Sequence, residues 1–575
     1  MCCCRQIITL LLFISIGYIT NAQQSTISTE VKDHIKTRVD EGINVGIVVA
    51  LIDGENVEYY SYGKADLKTG ADVDENSIFE IGSISKTFTG IIVADEVVKG
   101  KMRLSDPISK YLSEYTKVPT RNDKSITIKD VATHSSSLPR MPDNFAPANP
   151  NNPYADYTIE MAYDFISSVE LTRDVGERYE YSNLGLGMLG HILELQYDKD
   201  YEAIMVERIA NPLGMNNTRI VFTPEMKKHL AKGHNNGGEV ENWDLPALAG
   251  AGAIRSSPVD MVKYVQANMG VHKTPLYEAM QLSHKTAYEN EDQKFKIGLT
   301  WHYSNDGEII QHGGATGGYR AFAGFIAGTQ KGVVVLTNST EGIGGIGMKL
   351  LDETFDLKMP KKSIAADLEK EIKKNGLEKG IEFYKMAKAE FANKYDFGEG
   401  ELNNLGYSYL GEKDIETALV IFKLNVEMHP KASNPYDSLG EILLMKGDTL
   451  NAITNYKKSV ELNPASESGI EILVSLGIAK EELVKEVFVS AEILETYNGK
   501  YQLSPDFFIT ITSKGQQLFG LPTGQGQAEL FPKSDTEFYL KVVAANIVFN
   551  LDDTGKVESL TLFQGGREMV GAKIE

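Results

Sequence analysis

The feature that most constrains how this chain folds is a spacing of 34 residues in its C-terminal half. Leu405-Gly406 recurs as Leu439-Gly440, Asp414 as Asp448, Ala418 as Ala452, Phe422 as Tyr456, and Pro430 as Pro464. A fixed period of this length indicates stacked helix pairs in which small and aromatic side chains pack together. A degenerate unit is expected before them, with Gly380 and Tyr384 in the small and aromatic positions.

The period and pattern resemble tetratricopeptide helix pairs, and we predict such α-helical repeats over residues 362–480. The charged run at 360–376 is predicted to be helical and to mark a domain junction. Two roles for the repeats stay open: binding of a protein partner, or a spacer with a packed core. Few repeats form only a shallow groove.

From about residue 490 the pattern changes to strands. Residues 507–522, 537–563 and 567–574 show near-alternation of apolar and polar side chains, with glycine-containing turns between them. This segment, 490–575, resembles a small lipocalin-like antiparallel β-barrel. Barrel closure hides strand edges, so a stabilising role requires no ligand, and no residue pattern names one.

The N-terminal half carries the candidate chemistry, beginning with Ser83-Ile84-Ser85-Lys86. If a helix starts near Ser83, the serine and lysine share its first turn, where backbone N–H groups are unpaired. The lysine is then held beside the hydroxyl as a base, and an N–H faces an oxyanion. The alternative is a helix-capping serine followed by a solvated lysine.

The same spacing occurs at Ser61 and Lys64, within residues 57–65. That segment is predicted to be a strand, in which residues three apart point to opposite faces. Ser61 and Lys64 are therefore not expected to cooperate, and the nucleophile is assigned to Ser83.

Tyr181-Ser182-Asn183 precedes a glycine-rich apolar helix. A tyrosine whose pKa is depressed by a nearby lysine can transfer protons, and Asn183 can orient a substrate amide. The alternative for Tyr181 is an ordinary core tyrosine. A second copy, Tyr303-Ser304-Asn305, runs into Asp306-Gly307 and is interpreted as a turn.

His312-Gly313-Gly314 lies between alternating apolar segments, where glycines allow backbone to approach a ligand closely. His312, expected at a strand start, is a candidate to bind a substrate carboxylate or to tune the tyrosine. The N–H of Ala315 is expected to complete an oxyanion hole with that of Ser83. The alternative is a hairpin with a surface histidine.

In order and spacing, the three motifs resemble those of the β-lactamase-related serine hydrolases, the penicillin-recognising class C β-lactamase and DD-peptidase-like family. Supporting stretches are ITIKDVATHSSSLPRMP at 126–142, NPLGMNNT at 211–218, LAGAGAIRSSPVDMVKY at 248–264 and GVVVLTN at 332–338. The resemblance covers about residues 27–357. It implies catalytic roles for Ser83, Lys86 and Tyr181, and substrate-binding roles for Asn183, His312, Gly314 and Ala315.

Two residues depart from the family pattern. Ser137 stands where the family usually has glycine, so that loop is expected to differ. His312 replaces the lysine of class C β-lactamases, and the His-Gly-Gly form resembles DD-peptidases, D-aminopeptidases and esterases of the same fold. This weakens the expectation of β-lactam hydrolysis but not that of acyl-enzyme chemistry.

We therefore expect a multidomain chain whose hydrolase domain, 27–357, is of the α/β (α+β) class. An antiparallel sheet is predicted from residues 45–53, 57–65 and strands between about 296 and 338, with a mostly helical region at about 83–270 beside it. The site is expected at their junction. The 575 residues are enough for several domains with large cores.

The N-terminus is predicted to be an export signal, 1–22, with Arg5, an apolar run at 7–19 and a small-residue cleavage site before Gln23. A membrane anchor is the alternative. The three cysteines, Cys2, Cys3 and Cys4, precede the apolar run, so a mature chain has no thiol chemistry. A periplasmic or secreted location follows.

The net charge of −21 argues against nucleic-acid binding. No histidine or carboxylate spacing suggests a metal, and no cofactor is predicted. His134 is expected to support its loop. The sequence thus predicts an exported serine hydrolase that cleaves a β-lactam, D-amino-acid peptide or small ester. The alternative is a catalytically weak recognition protein whose repeats bind a partner.

Overall fold

A computed structural model gives the structure of the chain. It describes residues 26–235, 238–290, 295–304, 307–483, 487–504, 507–523, 527–543, 545–552, 554–564 and 567–574. The predicted export signal, 1–22, lies outside the described residues. Within them, no helix is both long and apolar enough to cross a membrane.

An eight-stranded antiparallel sheet organises the N-terminal half. Its strands are β1 Gly46–Asp53, β2 Asn56–Gly63, β3 Tyr288–Asn290, β4 Phe295–Ile297, β5 His302–Ser304, β6 Ile309–Ala315, β7 Arg320–Ile326 and β8 Lys331–Thr337. They are arranged in the order β2-β1-β8-β7-β6-β5-β4-β3. Strands from the two ends of this half are thus neighbours, because β1 pairs with β8 in the register Val49 to Val335.

Helices cover both faces of this sheet. They are Thr29–Asp40, Ser85–Val98, Ile128–Ala132, Ile159–Ser168, Asn183–Tyr197, Tyr201–Met205, Asn211–Leu213, Pro224–Lys228, Ala249–Gly252, Pro258–Met269, Tyr277–Ser283 and Gly344–Leu351. On one face, Ile35 and Ile346 pack on Val49 and Val335. On the other, Phe88 and Val265 join a larger core with Val48 and Val334. Strand β1 is buried almost throughout because both faces are covered.

Helices continue through Ile364–Asn375, Leu377–Glu390, Glu399–Gly411, Ile415–Met428, Ser433–Met445, Thr449–Leu462, Glu467–Ser475 and Lys480–Leu483. The 34-residue spacing has a direct structural basis. A Cβ on Gly406 would lie 2.5 Å from the Phe422 ring, and one on Gly440 would lie 2.9 Å from the Tyr456 ring. The same close contact between paired helices therefore occurs in both units.

The aspartates of the repeat also have equivalent positions. Asp414 accepts a hydrogen bond from Thr417 N and begins Ile415–Met428, while Asp448 accepts from Asn451 N and begins Thr449–Leu462. The charged run at 360–376 contributes Ile364–Asn375, whose Leu368 is buried in the core of the helical region. The run therefore forms part of the packed helical region and does not merely connect two domains.

The C-terminal region, after a short helix at Ala491–Thr496, is a closed barrel. Its strands are β9 Gly499–Ser504, β10 Phe507–Lys514, β11 Gln517–Pro522, β12 Ala528–Pro532, β13 Glu537–Leu540, β14 Ala545–Leu551, β15 Val557–Gln564 and β16 Arg567–Lys573. Each strand pairs with the next, and β9 closes on β16 at Tyr501 and Lys573. The predicted antiparallel barrel is therefore present, with its own apolar core.

Candidate functional site

The Ser83 and Lys86 side chains meet at the start of a helix. Ser83 lies in a 3₁₀ turn, Gly82–Ile84, that leads directly into Ser85–Val98. Lys86 Nζ lies 3.1 Å from Ser83 Oγ and donates a hydrogen bond to Ala251 O at 2.7 Å. The Lys86 side chain is completely buried. Burial, and then the charge of Arg140, lower the pKa of Lys86 well below its ordinary value, which favours the neutral amine.

Two glycines bring strand β6 against this turn. A Cβ on Gly314 would lie 2.0 Å from Ile81 O, so no side chain fits there. Gly82 has φ +50°, and a Cβ on it would lie 2.7 Å from Ala315 N. The backbone that precedes Ser83 therefore contacts the backbone of Gly314 and Ala315.

Tyr181 lies over the same amine. Its ring centroid is 4.7 Å from Lys86 Nζ, and Arg140 Cζ lies 5.0 Å from the ring. The ring also stacks on His134, with centroids 4.4 Å apart. His134 Nδ1 accepts a hydrogen bond from Ser182 N at 3.0 Å, which fixes the adjacent backbone. His134 thus holds the tyrosine segment.

The expectation of a depressed tyrosine pKa is wrong. Burial raises the pKa of Tyr181 to about 12, and a hydrogen bond with Ser83 and the charge of Arg140 offset this only in part. A neutral lysine offers no positive charge that would stabilise a phenolate. Tyr181 is consequently a protonated phenol at neutral pH.

Asn183 begins the helix Asn183–Tyr197, directly after the capping residue Ser182. Its Nδ2 lies 3.7 Å from Met141 Sδ, and its side chain also hydrogen bonds with Tyr154. The carboxamide is half-buried on the same segment as Tyr181. The structure thus places Asn183 beside the site, with its amide among side chains from residues 140–154.

His312 is found inside the protein, in the middle of β6 and not at a strand start. The ring is 2% exposed, and Nδ1 donates to Gly313 O at 2.6 Å. Burial, followed by the neighbouring His302 and Lys86, lowers the pKa of His312 well below its usual value. A neutral ring with its one N–H engaged has no donor left for a carboxylate. The expected carboxylate contact has no support in this geometry.

Arg140 and His302 are site residues that sequence reasoning missed. Arg140 is exposed, and its positive charge acts on both Lys86 and Tyr181. His302 has its ring centroid 4.8 Å from that of His312 and accepts or donates a hydrogen bond with Tyr179 at 3.0 Å. Arg140 lies within the quoted segment 126–142, but His302 had no signal, because only the pairing of β5 with β6 places it here.

Ser137 keeps the backbone conformation that glycine favours. Its φ is +64°, in the left-handed region, and its hydroxyl donates to Asp174 O at 2.8 Å. The expected difference in this loop is therefore a hydrogen bond gained by the serine. Among the described residues, no group of three or more histidine, cysteine, aspartate or glutamate side chains is arranged to hold a metal ion.

The second copies of the Ser-x-x-Lys and Tyr-Ser-Asn motifs lie away from this site. Ser61 is in β2, and Lys64 forms an ion pair with Asp72 at 2.6 Å. Tyr303, in β5, donates its hydroxyl hydrogen to His284 O at 2.5 Å. Neither contacts Ser83 through the interactions found. The turn predicted at Asn305 and Asp306 lies outside the described residues.

Comparison with known proteins adds a family and a fold. A model of the family described as Beta-lactamase matches residues 31–346, and a domain of unknown function, DUF3471, matches 485–573. The chain is 27% identical over 310 residues to the D-alanyl-D-alanine-carboxypeptidase/endopeptidase AmpH of Escherichia coli K12, covering 51% of this chain and 80% of that protein. It is 26% identical over 332 residues to an E. coli K12 β-lactamase, covering 51% and 84%.

A solved structure agrees with these matches. The crystal structure of a β-lactamase/D-alanine carboxypeptidase from Pseudomonas syringae has a TM-score of 0.50 and 21% sequence identity. It covers 56% of this chain and 98% of that chain. At this identity the likeness concerns the fold alone.

Proposed function

Because this chain belongs to the β-lactamase family, we propose that it is a serine hydrolase acting through an acyl-enzyme on Ser83. The observation that carries the proposal is the position of Lys86 Nζ, 3.1 Å from Ser83 Oγ on a completely buried side chain. A buried amine with a lowered pKa is a base at neutral pH, as this nucleophile requires.

Lys86 is the first base in this mechanism. The neutral amine accepts the Ser83 hydroxyl proton while Oγ attacks the substrate carbonyl carbon. The amides of Ser83 and Ala315 are assigned to the oxyanion, supported by the contact of Gly82 with Ala315. Tyr181, whose high pKa keeps it protonated, gives its proton to the leaving group and regains one from Lys86. Water then attacks the acyl carbon by the reverse proton route.

Substrate binding is assigned to Asn183 and Arg140. Asn183 presents a carboxamide beside Tyr181, suited to a substrate amide. Arg140 replaces His312 as the residue proposed to bind a carboxylate, because it is exposed and cationic while His312 is buried and neutral. His312 and Gly314 shape the β6 wall. Leading substrates are β-lactams, D-amino-acid peptides and small esters.

A substrate panel tests this proposal. The full-length chain is incubated with a chromogenic cephalosporin, a D-Ala-D-Ala peptide, a D-aminoacyl anilide and nitrophenyl esters. Turnover is followed together with intact mass, and an acyl adduct located on Ser83 is expected. A chain that hydrolyses none of these and forms no adduct would instead fit a recognition protein.

We further propose that the helix pairs are tetratricopeptide-like and the barrel lipocalin-like. The equivalent contacts of Gly406 and Gly440 support the first, and eight-stranded closure supports the second. Export to the periplasm or medium is proposed from the N-terminal pattern.

A further inference from the structure

One end of the C-terminal barrel contains a cavity of about 400 Å³ that is completed by the hydrolase half. Six strands, β10 to β15, contribute side chains to its wall. Where a strand contributes two lining residues, they are two positions apart, such as Phe507 and Ile509 or Ala545 and Ile547. Alternate residues of a strand share a face, so these side chains point into the barrel.

The opposite end of the barrel is filled by aromatic rings. Phe549 stacks on Tyr497 with centroids 4.0 Å apart, and Tyr501 and Phe538 contact its edges at 5.9 and 5.7 Å. Tyr501 donates its hydroxyl hydrogen to Tyr497 O, which fixes the position of its ring in this aromatic cluster. The cavity therefore lies at the end that faces Arg178, Tyr179 and Glu180.

The wall of this cavity is mainly apolar, with the uncharged Gln527 and Gln564 beside the apolar residues, and its rim charges are paired. Ile509, Leu530, Leu540, Ile547 and Leu562 line it. Glu180, on the hydrolase side, forms ion pairs with Arg173 and, at 3.7 Å, with Arg178. Because the rim charges are paired, the cavity suits an uncharged ligand. Its volume is in the range of small-molecule pockets, roughly 300–1,000 Å³. These properties suit an uncharged alkyl chain.

Tyr179 connects the cavity to the site around Ser83. It lines the cavity two residues before Tyr181, and its hydroxyl is 3.0 Å from His302 Nε2. His302 lies against both Tyr181 and His312, at centroid distances of 6.4 and 4.8 Å. A group bound in the cavity consequently touches the segment that positions the tyrosine.

The geometry points to a binding site for an alkyl chain, formed jointly by the barrel and residues 178–180. Two sources supply such a chain: the acyl part of the substrate itself, or a separate amphipathic molecule. Either chain would contact the same cavity wall. A chain that belongs to the substrate would determine which substrates are preferred, whereas a separate molecule would change the rate of hydrolysis of a short substrate.

Gly520 offers a variant that fills the cavity without straining the barrel. A Cβ there would contact Ile509, Ile511 and Leu530 at 3.7 Å, an ordinary van der Waals distance. The further carbons of Gly520→Leu occupy the cavity. Leu521→Phe is the matched control, because the adjacent residue of β11 points to the outer face. Equal thermal midpoints verify that both variants are folded.

The first measurement is binding of N-phenyl-1-naphthylamine, an uncharged apolar fluorophore, and its displacement by decanol. The wild type, Ser83→Ala and Leu521→Phe should bind it equally. Gly520→Leu should bind at least about tenfold more weakly, since single carbons in apolar pockets change affinity by roughly 10–200-fold. Failure of the wild type to bind, or equal binding by Gly520→Leu, overturns the site.

The second measurement compares nitrophenyl decanoate with nitrophenyl acetate, and it rests on the proposed hydrolase function. If the substrate supplies the chain, Gly520→Leu lowers the decanoate-to-acetate ratio of kcat/KM. If a separate molecule does, decanol changes acetate turnover in the wild type but not in Gly520→Leu. Absence of both effects overturns the link through Tyr179. Should no ester be hydrolysed, the proposed function fails while the fluorophore result still decides the cavity.

Discussion

The chain contains the spacing Ser-x-x-Lys twice, and the two copies lie in opposite environments. Lys86 is completely buried, with Nζ 3.1 Å from Ser83 Oγ. Lys64 has 44% of its side chain exposed and pairs with Asp72 instead of Ser61. The spacing alone makes both Ser83 and Ser61 candidate nucleophiles. Burial at a helix start lowers the pKa of Lys86 and favours its neutral form, whereas Lys64 is partly exposed and paired with a carboxylate.

The largest effect that distinguishes the two copies is loss of the nucleophile. Ser83→Ala should abolish formation of a covalent adduct with any acylating serine reagent, because no other serine or threonine hydroxyl is placed against Lys86 by the contacts found. Ser61→Ala should leave adduct formation unchanged. Peptide mass spectrometry locates the adduct, and modification of Ser61 with Ser83 unmodified would refute the assignment.

Removal of the base should have the next largest effect. Lys86→Ala should lower kcat/KM by roughly 10²–10⁴-fold, the contribution of a positioned general base. Lys64→Ala should stay close to wild type, since it removes an exposed ion pair that stabilises the fold by about 0.2–1 kcal/mol at most. Circular dichroism should show that both variants are folded. Comparable losses in the two would mean that burial does not define the base.

The paired tyrosines extend the comparison. Tyr181→Phe should slow turnover by roughly a hundredfold, whereas Tyr303→Phe should be close to wild type because the Tyr303 hydroxyl hydrogen bonds with His284 O and Thr286, away from Ser83. A larger loss in Tyr303→Phe would show that the second motif was misplaced.

The pH profile separates the two proton-carrying groups. Neutral Lys86 is the active form, so kcat/KM should rise with pH through a pKa well below 10.5. It should then stay level until Tyr181 loses its proton near its pKa of about 12. Tyr181→Phe should keep the acid limb and lose the alkaline one. An acid limb at the ordinary lysine pKa would contradict a buried neutral base.

The sequence predicted the parts of the fold that depend on local patterns. The pairing of Gly406 with Phe422 and of Gly440 with Tyr456 follows from a period, and the barrel strands follow from alternation. The contact of Ser83 with Lys86 was also predictable, because it spans one helical turn.

What the sequence could not supply was the environment that long-range contacts create. The sequence predicted that His312 faces a substrate or the solvent, because a His-Gly-Gly pattern does not show that Tyr181 and His302 lie against its ring. The predicted direction of the Tyr181 pKa is wrong because the phenol is buried, and a lysine can stabilise a phenolate only while it carries its positive charge. Burial of Lys86 removes that charge, and burial is set by residues far away in sequence, such as Ala251.

The smallest predicted effect concerns Arg140, the exposed cation of the site. Arg140→Ala should lower the ratio of kcat/KM for carboxylate-bearing over uncharged substrates about two- to fivefold, the scale of an exposed ion pair. It should also move the acid limb of the pH profile to higher pH, because the Arg140 charge helps to lower the pKa of Lys86. Arg103→Ala, which removes an equal exposed charge, is the control and should change neither quantity. A shifted acid limb with an unchanged substrate ratio would show that Arg140 tunes the base but does not bind the carboxylate.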